Sequence, residues 1–247
     1  MPILSALVGC WRPHTPTEAE LNRGLIYIFP GIEGGPWSMA AAYRAFRDAG
    51  VETAIRIYEW PDGAAALTNL MSHERNRLEA ARIAADIAAY RRAFPRQPID
   101  LVGYSGGGGM AVMTVEALPS DVRVRNVILV QAALSREYDL TNLLWHVDGR
   151  LVNFHSPRDW VILGVGTRVC GTMDRTRGPA AGKDGFDLKR AVADESLHDC
   201  VEQVSWNVGM LWTGHYGGHY PIVLGEWNRR YIAPYLISPP VGPCPDQ

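Results

Sequence analysis

The chain has 247 residues, of which 47% are hydrophobic and 20% charged, and its formal net charge is −2. This length and composition fit a single globular α/β domain with a full hydrophobic core. Because the chain has no excess of basic residues to neutralise phosphates, nucleic acid is not expected as a partner. No apolar run reaches the ~18 residues that would span a bilayer.

The first residues form a short apolar stretch that ends in Leu7-Val8-Gly9-Cys10. It resembles a bacterial lipobox, in which the cysteine receives a lipid, but no Lys or Arg precedes Cys10 and the stretch is shorter than a secretory signal requires. Two interpretations stay open. Residues 1–20 are a lead-in with the remnant of a lipoprotein signal, which implies membrane attachment through Cys10 at the cell envelope, or the match is accidental and the protein is cytoplasmic. Residues 21–247 are predicted to form one domain.

The other cysteines are Cys170, Cys200 and Cys244, and no two of them have C-x-x-C spacing. Neither a zinc site nor a thioredoxin-like motif is therefore predicted. A Cys170–Cys200 disulfide would suit an oxidising compartment, but ordinary thiols are the favoured interpretation.

Predicted strands and helices alternate along the chain. Apolar, β-rich runs predict strands at 25–29, 53–60, 99–104, 122–130, 150–155 and, more weakly, 201–206. Helical composition is found at 38–49, 65–94, 106–118 and 221–236, with Gly50 as the stop of the first helix. In the long second helix, the predicted buried stripe comprises Leu67, Leu70, Met71, Leu78, Ala81, Ile83, Ile87 and Tyr90. This alternation predicts an α/β fold with a mostly parallel central sheet and helices on both faces.

The segment Gly103-Tyr104-Ser105-Gly106-Gly107 matches G-x-S-x-G between a predicted strand and a predicted helix. A tight strand-to-helix turn strains the serine backbone and leaves little room for side chains next to it, which explains the glycines. The following helix directs its N-terminus at Ser105, where its dipole favours negative charge. The motif therefore predicts Ser105 as a catalytic nucleophile, against the alternative of a glycine-rich turn with an incidental serine. A phosphate-binding P-loop is disfavoured, because no Gly-Lys-Ser/Thr follows.

These residues resemble the α/β-hydrolase superfamily of esterases and lipases, over about residues 24–236. Phe29-Pro30-Gly31-Ile32-Glu33-Gly34-Gly35 is similar to the family's oxyanion loop, with Pro30 in the place of the usual histidine. The resemblance implies that the backbone N–H groups of Ile32 and Gly106 form an oxyanion hole, which stabilises a tetrahedral intermediate.

The family places its acid and then its histidine after the nucleophile. Asp159, which follows a predicted strand and a Pro turn, is the predicted acid, with Asp174 as a fallback and Asp148 as a worse fit. A helix N-cap is the alternative role for Asp159. His219 is the predicted base because Pro221 follows it at a helix start, and His215 is the alternative base.

Metal and cofactor sites are not expected. His215 and His219 have i, i+4 spacing, but the intervening Gly217-Gly218 argues against a helix and no Glu follows the first histidine. His198 is interpreted as a surface residue. Two further segments are candidate covers for the site: 137–146 as a small helical lid, and 170–187 as a surface excursion. Trp37, Trp60, Trp160, Trp206 and Trp212 are either lining residues of an acyl pocket or ordinary core and rim residues, and Tyr104 is expected to shape the acyl site.

The sequence thus predicts a serine hydrolase that cleaves a carboxylic ester through a Ser-His-Asp triad, with a small-molecule or lipid-like ester as substrate. Two alternatives remain. A peptidase or thioesterase uses the same triad, and the fold also tolerates non-catalytic binding proteins.

Overall fold

The computed structural model describes residues 11–32, 34–60, 72–160, 163, 172–176 and 178–238. Cys10, Cys170 and Cys244 lie outside these residues. The lipid anchor predicted on Cys10 therefore stays a prediction. Most of the segment 170–187, which was predicted as a surface excursion, is described, and that prediction was wrong, because Met173, Ala180, Ala181 and Phe186 are buried in the core.

The centre of the protein is one sheet of six strands, all parallel, in the order β2-β1-β3-β4-β5-β6. The strands are β1 Leu25–Phe29, β2 Ala54–Ile57, β3 Ile99–Tyr104, β4 Val124–Val130, β5 Val147–His155 and β6 Val201–Ser205. All five residues of β1 and all six of β3 are buried. Strands that are buried along their whole length are covered on both faces. The predicted parallel α/β architecture is confirmed.

Helices connect the strands and cover both faces of the sheet. They are α1 Glu18–Leu21, α2 Ala40–Asp48, α3 His73–Ala93, α4 Gly106–Glu116, α5 Thr141–Leu144, α6 Ala181–Asp184, α7 Leu188–Ala191, α8 Gly225–Trp227 and α9 Ala233–Ile237. A π-helical turn, Asn228–Ile232, joins α8 to α9, and 3₁₀ turns lie at Pro36–Met39, Glu195–Cys200, Val208–Thr213 and Pro221–Val223. Within the described residues, no helix is long and apolar enough to cross a membrane.

Side chains of neighbouring strand residues belong to two separate core clusters. Leu25, Tyr27 and Phe29 of β1 pack with α3 and α4, whereas Ile26 and Ile28 pack with α2 and α9. This alternation follows from the two-residue period of a strand. The sheet thus has a hydrophobic layer on each face.

The buried stripe of α3 differs from the predicted one. Asn76, Ala80, Ile83, Ala84, Ile87, Ala88 and Tyr90 are buried. Leu78 is 60% exposed and Ala81 is also exposed. At 100° per residue, these two positions lie off the stripe that runs through 76, 80, 83, 87 and 90, so their prediction was wrong. Leu67, Leu70 and Met71 lie outside the described residues.

Two further predictions were wrong. Segment 137–146 is not a cover: Leu140, Leu143 and Leu144 are fully buried in the core, and the His146 carbonyl accepts the Val124 N–H at the amino end of β4. The segment is therefore at the end of the sheet opposite Ser105. Cys200 is not a free thiol but is disulfide-bonded, and its partner lies outside the described residues.

The order of the strands creates one crevice at the carboxyl end of the sheet. From β1 the chain moves outward to β2 and then returns to β3 on the other side of β1. The loops that leave β1 and β3 consequently diverge, and ligands of open parallel sheets bind at such a switch point. The segments 30–35 and 105–109 begin at this place.

Candidate active site

Ser105 lies on the turn between β3 and α4 with a backbone that side-chain-bearing residues rarely adopt, φ 53° and ψ −121°. Three hydrogen bonds hold this turn: the Ser105 N–H donates to the Val130 carbonyl, and the Ser105 carbonyl accepts from Gly108 and Ala133, each at 3.0 Å. Backbone strain that the surroundings fix so firmly is typical of functional sites.

The glycine at 107 is required because α4 starts directly against β1. A Cβ at Gly107 would lie 2.2 Å from the Phe29 carbonyl oxygen. This close approach lets an 11-residue helix begin at Ser105, so the partial positive charge of its N-terminus lies beside the serine hydroxyl.

The predicted oxyanion residues Ile32 and Gly106 are neighbours. A Cβ at Gly106 would lie 2.4 Å from Ile32 Cγ2, so the Ile32 side chain occupies the space beside the residue that follows Ser105. Gly106 is the first residue of α4, and the first N–H groups of a helix have no partner within it. Glu33 of the same loop lies outside the described residues.

Trp60 holds this loop in place. Its side chain is buried, and its Nε1–H donates to the Pro30 carbonyl at 2.7 Å. The indole ring also comes within 3.4 Å of a Cβ placed at Gly106. From the sequence, Trp60 was one of five tryptophans that could line an acyl pocket. Its position shortly after β2 indicated that it lies at the carboxyl end of the sheet.

His219 is placed against Ser105 although 114 positions separate them in the chain. Its Nε2 lies 2.9 Å from Ser105 Oγ, and both side chains are buried, with 5% and 4% of the residue surface exposed. The Tyr104 ring lies 5.3 Å from the imidazole, centroid to centroid, so Tyr104 packs against His219. Pro221, two residues after His219, begins a 3₁₀ turn, at the position where the sequence predicted the start of a helix.

Asp159 completes a hydrogen-bonded chain of three side chains. Its Oδ2 lies 2.5 Å from His219 Nδ1, and its Oδ1 accepts the Leu163 N–H at 3.3 Å. Asp159 follows the end of β5 by four residues, in a turn closed by its own N–H and the Ser156 carbonyl. The structure therefore brings together the three residues that the sequence selected as nucleophile, base and acid.

The alternative base and acids lie elsewhere. His215 is also buried, but its ring packs at 5.7 Å from Trp227 and its Nδ1 accepts the Gly217 N–H at 3.4 Å. Burial lowers the pKa of His215 to about 4, so it is a neutral structural residue near pH 7.

Asp174 accepts hydrogen bonds from the Ser135 N–H and the Thr176 hydroxyl, and thus fixes a loop. Asp148 lies at the amino end of β5 with its oxygen 3.8 Å from Arg123. His198 is half-buried, and its Nε2 lies 3.1 Å from the Val192 carbonyl oxygen.

The tryptophans divide into buried and exposed residues. Trp60 is buried beside the site, whereas Trp160 and Trp212 are largely exposed, Trp212 by 87%. Tyr216 and Tyr220, which belong to the loop of His219, are exposed as well. In the part of the chain that is described, no group of three or more His, Cys, Asp or Glu side chains is placed to hold a metal ion.

No protein-family model matches the chain, and none of the curated proteins matches it. Among solved structures, the chain is similar to the esterase domain of a Rhodothermus marinus protein, with 16% identity over 89% of this chain and 86% of that one and a TM-score of 0.44. It is also similar to the pyrethroid hydrolase PytH, with 12% identity over 87% of this chain and 98% of that one and a TM-score of 0.41. A third similar structure is RedJ with a polyethylene glycol molecule in its active site, with 12% identity, coverage of 79% and 84%, and a TM-score of 0.42.

The chain has a parallel α/β fold built on one six-stranded sheet. The parallel sheet places a strand–serine–helix turn at its carboxyl end, and this turn lies beside the glycine-rich loop that follows β1.

Proposed function

We propose that the protein is a serine hydrolase that cleaves carboxylic esters with Ser105 as nucleophile, His219 as general base and Asp159 as the residue that orients the base. The observation that carries the proposal is the hydrogen-bonded chain from Ser105 Oγ to His219 Nε2 and from His219 Nδ1 to Asp159 Oδ2. Nucleophile, base and orienting group within hydrogen-bond reach are the signature of an activated serine.

The reaction proceeds through an acyl-enzyme. With the Asp159 carboxylate accepting the Nδ1–H, the free Nε2 of His219 takes the proton of Ser105 as the serine oxygen attacks the ester carbonyl. The imidazolium then gives this proton to the leaving alcohol, and Asp159 stabilises the cation meanwhile. Water, deprotonated by the same Nε2, then attacks the acyl-enzyme. The bond between the acyl carbon and Ser105 Oγ breaks, and the imidazolium returns the proton to Oγ, which releases the acid and restores Ser105.

The developing oxyanion is assigned to the backbone N–H groups of Ile32 and Gly106. The side-by-side position of the two residues and the start of α4 at Gly106 support this assignment. Loss of one such donor typically costs about 3 kcal/mol of transition-state stabilisation. Trp60 maintains the loop of Ile32 through its bond to Pro30.

An apolar acyl or alcohol group fits the surroundings best. The stretch from Trp206 to Leu224 has no Asp, Glu, Lys or Arg, and its Trp212, Tyr216 and Tyr220 are exposed. The Tyr220 ring lies 5.4 Å from the imidazole of His219, centroid to centroid. Such residues offer apolar contact area together with a polar edge. The proposed substrate is accordingly a small-molecule or lipid-like ester.

The test is labelling with a fluorophosphonate probe followed by assay of p-nitrophenyl esters of increasing chain length. We expect stoichiometric labelling at Ser105, none in Ser105→Ala, and hydrolysis that favours apolar acyl groups. The Ser105→Ala variant should retain the wild-type circular dichroism spectrum. Folded wild-type protein that neither reacts with the probe nor hydrolyses any ester would favour the non-catalytic alternative. Labelling together with turnover of only peptides or thioesters would show that the enzyme is a peptidase or thioesterase instead of an esterase.

A further inference from the structure

The loop that carries His219 has little structure of its own. Residues 214–220 contain neither helix nor strand, and Gly214 and Gly217 have positive φ angles of 81° and 91°. Glycines give the backbone more conformations than other residues do, so such a loop loses much entropy when it is held in one conformation. Contacts from outside the loop must therefore fix the imidazole.

Three side chains donate hydrogen bonds to three carbonyl groups of this loop. The Ser156 hydroxyl donates to the Gly217 carbonyl at 2.6 Å, and Gln131 Nε2 donates to the Gly218 carbonyl at 2.9 Å. The Trp206 Nε1–H donates to the His215 carbonyl, also at 2.9 Å.

The three donors occupy equivalent places in the fold. Gln131 follows the last residue of β4, Ser156 the last residue of β5 and Trp206 the last residue of β6. Because these strands are neighbours in a parallel sheet, their carboxyl ends form one edge, and the loop of His219 lies across it. We call Gln131, Ser156 and Trp206 the histidine clamp.

Two members of the clamp are also connected to the partners of His219. Val130, directly before Gln131, accepts the Ser105 N–H at 3.0 Å, and the Ser156 carbonyl accepts the Asp159 N–H at 3.0 Å. Gln131 has a left-handed backbone, φ 46°, and is almost fully buried, as is Ser156. The same short segments thus fix the serine, the aspartate and the loop between them.

We propose that the histidine clamp positions His219 between Ser105 and Asp159, a role that rests on the proposed hydrolase function. None of its members touches the reacting atoms, so they are positioning residues. Loss of a clamp bond lets the imidazole move relative to Ser105 Oγ, and displacements near 1 Å lower turnover by roughly a hundredfold. The expected loss is therefore larger in kcat than in KM.

Three variants remove one donor each and keep the approximate shape: Ser156→Ala, Gln131→Met and Trp206→Phe. Tyr90→Phe is the matched control, because the Tyr90 hydroxyl donates to the Leu21 carbonyl at 2.7 Å in a buried place far from Ser105. We expect kcat to fall by roughly tenfold to a hundredfold in Ser156→Ala and less in the other two, with KM nearly unchanged. Tyr90→Phe should lose similar stability in urea and keep its kcat, and Ser156→Thr should recover most of the activity.

Proton NMR of the Nδ1–H between His219 and Asp159 separates positioning from mere stability. Its downfield resonance should shift or broaden in the clamp variants and stay unchanged in Tyr90→Phe. An unchanged resonance, with kcat no lower than in Tyr90→Phe, would overturn the clamp even when the wild-type enzyme hydrolyses esters. Conversely, a wild-type protein that is inert to the fluorophosphonate probe but shows the shifted resonance in the variants would retain the clamp and refute the hydrolase.

Discussion

The two ends of the sheet both bury charged or polar side chains, but they use them differently. At the amino end, Asp100 of β3 is paired with Arg125 of β4 and also accepts the Asn126 N–H, and Arg125 donates to the Leu236 and Ser238 carbonyls. At the carboxyl end, Asp159 contacts His219, whose other nitrogen lies against the hydroxyl of Ser105.

The hydrogen bonds of Asp100 and those of Asp159 differ in the groups at which they end. The Asp100 network closes on backbone groups and anchors the end of α9, so its value is structural. The chain of side chains at the carboxyl end terminates in the hydroxyl of Ser105, whose backbone is strained and which is the proposed nucleophile. The two buried aspartates, Asp100 and Asp159, should consequently respond in opposite ways to the same substitution.

The largest effect is expected for Asp159→Asn. The amide cannot accept the Nδ1–H in the same way, so His219 is held in the wrong tautomer, and kcat should fall by roughly 10⁴-fold. The unfolding free energy should change much less than it does in the Asp100 variant below. Steady-state kinetics and urea denaturation measure the two quantities. A variant with near-normal kcat would remove Asp159 from the mechanism.

Asp100→Asn should show the reverse pattern, with a large loss of unfolding free energy and an unchanged kcat. Removal of one partner of a buried ion pair leaves Arg125 uncompensated and is expected to lower the unfolding free energy by about 3 kcal/mol. Because the site lies at the other end of the sheet, kcat at a temperature where the variant is folded should match the wild type. A large loss of kcat in fully folded Asp100→Asn would contradict the separation of the two ends.

His215→Gln distinguishes the two histidines of one loop. The pKa of His215 is lowered by burial to about 4, below the value near 6.5 in the unfolded chain, so the unfolded state binds the proton first as pH falls. The stability that the neutral ring contributes is present above pH 6.5 and is lost as pH falls towards 4, by about 3 kcal/mol. Urea denaturation from pH 7 to 4.5 should show a weaker pH dependence in His215→Gln, with most activity retained at pH 7. Inactivation of this variant would reopen the choice of base.

The smallest effect is expected at Glu116, at the end of α4 remote from Ser105. Burial raises its pKa to about 7, although the Tyr138 hydroxyl donates to both carboxylate oxygens. The folded state therefore binds the proton more readily than the unfolded state, and the associated stability, present below about pH 4.3, is lost as pH rises through 7. In thermal unfolding, Glu116→Gln should be equal to wild type in stability at pH 4 and more stable by about 1 kcal/mol at pH 8, less than the full pKa shift would give because solvent screens the partly exposed carboxyl. Equal stability at both pH values would show that the carboxyl is not perturbed.

Local patterns predicted much of the molecule. The strand at 99–104 was predicted with both of its ends, and Gly50 follows α2 with a positive φ of 92°. The elements that were missed or shifted depend on distant contacts. Periodicity alone did not establish which side of α3 faces the sheet, and the core position of 140–144 required the packing of α4 and β5 to be known.

The sequence by itself determined the place of Ser105, because a strand, a tight glycine turn and a helix are properties of consecutive residues. It also limited the candidates for the acid and the base to a few residues that follow Ser105 in the order acid, then histidine. Only the tertiary structure decided that His219 and not His215 faces the serine, and it alone brought Gln131, Ser156 and Trp206 to one loop. Apart from the Trp206–His215 bond, which spans nine positions, these contacts join residues 60 to 114 positions apart. The order of the parallel strands, which no local pattern encodes, sets the distances between them.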